Sequence, residues 1–175
     1  MNDITFITGG ARSGKSRYAL ERTRAARRKV FIATAEITDD EMRQRIERHR
    51  EERGNEFSTI EEPLDLANAM NRIPPDTEIA VVDCLTVWLG NLMFRRPCET
   101  DDYAEVEAFL AVLRDPPCSM VIVSNEVGMG LVPETPLGRR FRDVAGRVNQ
   151  AVAHLSHTAI FMVSGMPIQT KGIPK

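Results

Sequence analysis

Residues Gly9-Gly10-Ala11-Arg12-Ser13-Gly14-Lys15-Ser16 carry the spacing G-x-x-x-x-G-K-[ST] of a phosphate-binding loop. The chemistry follows from the residue types. Glycines let successive backbone N–H groups curl around a phosphate, and the helix that follows turns its positive dipole end toward it. Lys15 is expected to reach the β- and γ-phosphates, and the Ser16 hydroxyl to ligate Mg²⁺. The context fits as well as the spacing. Ile4-Thr5-Phe6-Ile7-Thr8 reads as a buried strand, and Arg17 to Arg22 is a good helix former. The chain is therefore expected to bind a nucleoside triphosphate.

Asp83 ends the apolar run Ile79-Ala80-Val81-Val82. It either caps the next helix or, as a carboxylate at a strand end beside the phosphate loop, holds Mg²⁺ or nucleotide; beside such a loop the second role is favoured. The stretch from Asp39 to Arg53 alternates arginines with glutamates, the pattern of a solvated helix face. Met42, Ile46 and His49 recur at helical spacing, which predicts His49 on an inward stripe. Periodicity alone favours a packed histidine over a catalytic one, although arginines beside it would suit triphosphate chemistry. The glycine-bearing segment Asn125 to Glu134 follows a strand end, where α/β sheets bind ligands, and is either a binding loop or a plain connection. The helix opening at Arg139-Arg140-Phe141-Arg142 could face an anion, a neighbouring subunit or the core.

These residues need a scaffold, and the chain alternates strand-like and helix-like segments throughout. Strands are expected at 29–34, 78–83, 120–124 and 158–164, and helices at 39–53, 64–73, 85–94, 103–113 and 139–157. Thr38-Asp39-Asp40-Glu41 reads as a capping box, and Gly54-Asn55 as a stop. The tail from Pro167 to Lys175 carries no clear signal. The alternation predicts a single α/β domain with a mostly parallel sheet, and a chain of 175 residues suits one domain.

Composition narrows the function. A net charge of −2 gives no basic field for nucleic acid. Cys84, Cys98 and Cys118 are too few and scattered for a disulfide framework or a zinc site, which suits the reducing cytoplasm. The first residues lack the basic start of a signal peptide, and the longest apolar run, Ile79 to Phe94, is broken by Asp83 and Asn91, so no membrane span is expected.

Six motifs in order resemble one enzyme family. They are Thr8 to Ser16, Ile32 to Ala35, Asp39 to Met42, Arg45 to Arg50, Asn125 to Glu134 and Phe141 to Gln150. Together they closely resemble the bifunctional adenosylcobinamide kinase / adenosylcobinamide-phosphate guanylyltransferases of cobalamin biosynthesis, over nearly the whole chain. The resemblance implies a RecA-like P-loop NTPase fold and a homotrimer with sites between subunits. It implies phosphorylation of adenosylcobinamide by ATP or GTP, then transfer of GMP from GTP to adenosylcobinamide phosphate through a guanylylated histidine. The matching histidine is His49; Arg48 stands where the family often has a second histidine. Ala33, Thr34, Ala35 and Glu61 fall at nucleotide-binding positions, and Arg50, Glu51, Glu52 and Arg53 are placed with the nucleotide. Asp83 replaces a glutamate of some members, a shorter reach for the same charge. The rival expectations are a P-loop small-molecule kinase without a covalent intermediate, or a nucleotide-dependent switch.

Overall fold

The run Ile4–Gly9 forms β1, buried along nearly its whole length, as a strand inside a parallel sheet must be. The computed structural model describes residues 2–37, 39–97 and 100–172, apart from the side chains of residues 45, 52 and 53. Beyond β1 the order is α1 (Lys15–Arg22), β2 (Lys29–Ala33), α2 (Asp40–Arg53), β3 (Phe57–Glu61), α3 (Leu66–Asn71), β4 (Ile79–Asp83) and α4 (Leu85–Arg95). Then come α5 (Ala104–Leu113), β5 (Ser119–Val123), α6 (Pro136–Leu155), β6 (Thr158–Val163) and β7 (Met166–Lys171). Thr38, Cys98 and Glu99, singled out in the sequence, lie outside the described residues.

One seven-stranded sheet runs in the order β3-β2-β4-β5-β1-β6-β7. Its strands are parallel except β7, which pairs antiparallel with β6. All the parallel strands therefore end on one edge, and that edge carries the phosphate loop, Asp83, Glu61 and Asn125. Alternate side chains feed two cores. Phe6, Ile32, Val82 and Ile122 pack with α3, α4, α5 and α6 on one face. Ile7, Phe31, Val81 and Val123 pack with Ala19, Tyr18 and Leu20 of α1 on the other. This is the α/β architecture, a mostly parallel sheet flanked by helices, that the alternation predicts.

Two strands were not foreseen. β3 is an edge strand with every residue exposed or half-buried, so Ser58, Thr59 and Glu61 show no alternating apolar face. The expectation that the strand at 158–164 is the last one is also corrected. Ser164 and Gly165, both with positive φ (50° and 83°), turn the backbone into β7. All of β7 is exposed, and it includes Pro167, which an edge strand tolerates. Helix bounds shift locally. α6 starts early because Thr135 caps it, accepting from Gly138 N at 3.1 Å, with Pro136 in its first turn. α2 is capped by Asp39, whose Oδ1 accepts from Met42 N at 2.7 Å, and it closes at Gly54 as expected.

Candidate active site

The turn from β1 into α1 is fastened from both sides. Glu126 N, just past β5, donates to Gly9 O at 2.9 Å. Gly165 N, in the turn between β6 and β7, donates to Ser13 O at 3.0 Å. The terminal hairpin thus props the phosphate loop, a role nothing in the tail's composition suggests. Within the loop, Ser13 N bonds Gly10 O at 3.3 Å, and Lys15 Nζ donates to Gly10 O at 2.6 Å. Lys15 is buried, and that burial pushes its pKa below the ordinary lysine value, against the opposing charge of Asp83.

A cleft of about 1110 Å³ opens along this edge. It is lined by Ala11, Arg12, Ser13, Gly14, Lys15 and Ser16 of the loop, by Ala33 at the end of β2 and Ala35 just past it, by His49 and Arg50 of α2, by Glu61 and by Asp83. Most of the residues singled out in the sequence therefore meet in one place, although they come from five separate segments. Several stand differently. Gly9 belongs to the sheet, in register with Met162, and neither it nor Gly10 lines the cleft. Thr34 is fully buried; its hydroxyl donates to Cys84 O at 2.9 Å and accepts from Cys84 N at 2.8 Å. It ties the end of β2 to the segment after β4. Glu51 is exposed and not part of the lining, and the side chains of Glu52 and Arg53 lie outside the described residues.

The inward position expected for His49 is corrected. His49 is exposed, and only Met42 and Ile46 of that stripe are half-buried. Two apolar residues in a fourteen-residue helix cannot draw a third position into the core, so α2 lies with its polar length in solvent. Arg50 forms an ion pair with Glu61, linking α2 to the end of β3. Both partners are half-exposed, so the pair orients more than it stabilises.

Asp83 closes β4, and the cap position of α4 falls on Cys84, one residue beyond it. Burial, reinforced by the charge of Asp83, pushes the Cys84 thiol up to about 12, which removes it as a nucleophile. Among the described residues no group of three or more His, Cys, Asp or Glu side chains could hold a metal unaided. A hydroxyl at Ser16 and a carboxylate at Asp83 fit instead a Mg²⁺ that keeps water and phosphate oxygens as its other ligands. The segment from Asn125 divides. Asn125 lines the cleft, whereas Met129, Leu131 and Val132 are exposed. The arginines opening α6 are spent locally: Arg139 donates to Pro133 O and Glu134 O, and Arg140 pairs with Asp101. Sequence reasoning also missed Asn91, which donates to Thr34 O and Pro63 O from inside an apolar helix.

A family model described as cobinamide kinase / cobinamide phosphate guanyltransferase matches residues 5–170. The chain belongs to that family. Among curated relatives, the bifunctional adenosylcobalamin biosynthesis protein CobU of Escherichia coli is 38% identical over 96% of this chain and 99% of its own length. The bifunctional adenosylcobalamin biosynthesis protein CobP of Pseudomonas aeruginosa is 42% identical over 99% of both chains. Among solved structures, the KaiC-like protein PH0186 of Pyrococcus horikoshii shares the fold. Its TM-score is 0.52 at 12% identity, over 91% of this chain and 70% of that one. This member of the cobinamide kinase / cobinamide phosphate guanyltransferase family has, among its described residues, no helix long and apolar enough to cross a membrane.

Proposed function

We propose that this chain catalyses two successive transfers onto adenosylcobinamide. In the first, the aminopropanol hydroxyl takes the γ-phosphoryl group of ATP or GTP, giving adenosylcobinamide phosphate and a nucleoside diphosphate. In the second, GMP passes from GTP to that phosphate, giving adenosylcobinamide-GDP and pyrophosphate. The observation that carries this reading is a single cleft lined by both the phosphate loop and His49, in a chain 38% to 42% identical to bifunctional relatives over nearly its full length.

The second transfer divides into two displacements. A neutral imidazole nitrogen of His49 attacks the α-phosphorus of GTP. The bond from that phosphorus to the bridging oxygen breaks, its electron pair leaves with pyrophosphate, and a phosphoramidate remains on the histidine. A phosphate oxygen of adenosylcobinamide phosphate then attacks the same phosphorus, the P–N bond breaks, and free His49 returns. Lys15 and the backbone N–H groups of residues 11–16 would stabilise the charge gathering on the β- and γ-oxygens. Ser16 and Asp83 would hold Mg²⁺, which supplies further neutralisation of the triphosphate when bound. Ala33, Thr34, Ala35, Glu61 and the run Arg50, Glu51, Glu52, Arg53 would shape the nucleotide's surroundings.

The chain would assemble as a homotrimer, with the exposed apolar side chains of Phe94, Leu131 and Leu137 available to its interfaces. A cytoplasmic location suits free thiols at Cys84 and Cys118. The test is product analysis. Purified chain, Mg²⁺, GTP and adenosylcobinamide should yield adenosylcobinamide phosphate first and adenosylcobinamide-GDP later, with one pyrophosphate per GMP transferred. Accumulation of the phosphate alone would leave only a kinase.

A further inference from the structure

One helix face holds together the far wall of the cleft. Trp88, Asn91 and Arg95 of α4 stand three and four residues apart, on one side of the helix. Trp88 Nε1 donates to Leu64 O at 2.8 Å. Asn91 Nδ2 donates to Thr34 O at 2.8 Å and to Pro63 O at 3.2 Å. Arg95 pairs with Glu36 at 2.9 Å. Both acceptors of Asn91 are carbonyls, so its nitrogen must face them. Asn91 is the member of the three that joins the two segments directly, one leaving β2 and the other leaving β3.

Those segments carry Ala33, Ala35, Glu61 and Pro63 into the cleft. In the sheet order they lie three and four places from β1. At roughly 4.8 Å per strand that is about 14 and 19 Å from the phosphate loop. That is beyond the reach of a triphosphate seated on the loop, so with a nucleotide in this cleft the wall would meet its nucleoside end. We infer that Asn91 is a positioning residue for nucleoside recognition, clamping the backbone past β2 to the backbone past β3 so that the wall meeting ribose and base keeps one shape. A leucine would suit the surrounding helix, which buries Leu85, Leu89, Leu92 and Met93. The amide's presence there is explained by the two carbonyls it satisfies.

The inference rests on the reading that the cleft binds a nucleoside triphosphate, and the experiment separates the two. Wild type, Asn91→Leu and Asn91→Asp are titrated calorimetrically with Mg²⁺ plus GTP and with Mg²⁺ plus inorganic tripolyphosphate. Leucine keeps the bulk in an apolar helix, and aspartate keeps the shape while removing the donors. The expected result is GTP affinity weakened roughly tenfold or more in both variants, the scale of a lost hydrogen bond. Tripolyphosphate affinity should stay within about twofold, since the phosphate loop is untouched. A merely structural role for Asn91 would lower the melting temperature without changing the ratio of the two affinities. Unchanged GTP binding in the folded variants, or parallel loss of both ligands, would overturn the clamp and leave the nucleotide reading standing. Wild type binding neither ligand would overturn that reading and the clamp with it.

Discussion

Adding one methyl group at Gly9 should cost far more than adding it at Gly10, although both are glycines of the same loop. A Cβ on Gly9 would lie 2.4 Å from Met162 O and 2.9 Å from Ser13 Oγ. The first neighbour is backbone of β6, paired in register with Gly9, and cannot swing aside. Gly9 cannot retreat either, because its carbonyl accepts from Glu126 N at 2.9 Å. Its φ of 150° adds backbone strain for any side chain. Overpacking costs about 1–3 kcal/mol and a disfavoured φ costs a similar amount, so Gly9→Ala should lose roughly 2–6 kcal/mol. The middle of that range, about 4 kcal/mol, lowers the Tm of a domain this size by roughly 8–16 °C. A Cβ on Gly10 meets nothing within 4 Å, so Gly10→Ala should stay within about 0.5 kcal/mol of wild type. Paired thermal and urea melts of the two nucleotide-free variants check this. Equal melting of the two, or a larger loss at Gly10, would refute the reasoning.

Lys15→Met should abolish nucleotide binding yet melt higher than wild type without ligand, because it removes a buried ammonium. The sign follows from the lowered pKa of Lys15: below 10.5 the unfolded chain holds a proton that the native state holds less tightly. Wild-type stability should therefore rise with pH from the lowered value up to 10.5, and calorimetric scans of Lys15→Met should lack that slope. His49→Ala should lose guanylyl transfer while keeping GTP binding at the phosphate loop; transferase activity equal to wild type would remove His49 from the mechanism. Trp88→Phe should cost about 1.5–3 kcal/mol in urea unfolding, since Trp88 is fully buried, packs edge-on against Phe109 at 5.3 Å and bonds Leu64 O.

The phosphate loop was legible because its function depends on local backbone geometry, which glycine spacing dictates. The parallel strands showed as apolar runs for the same local reason. β3 did not, because an edge strand with Ser58 and Thr59 exposed has no apolar face to display. β7 left one readable mark, the pair Ser164-Gly165, whose residue types suit a tight hairpin turn. His49 shows the opposite failure: its helical spacing from Met42 and Ile46 was real, but the stripe was too thin to bury it. Asn91 looked only like a flaw in an apolar run. Its partners stand 57 and 28 residues away, and no local pattern encodes a bond across that separation.

The most direct test of the account is covalent labelling. The purified chain is incubated with Mg²⁺ and GTP carrying ³²P at the α-position, then digested and mapped, with γ-labelled GTP as the control. The account predicts an acid-labile GMP adduct on His49 with the α-label and none with the γ-label. Absence of any adduct while GTP demonstrably binds, or an adduct on another residue, would contradict it.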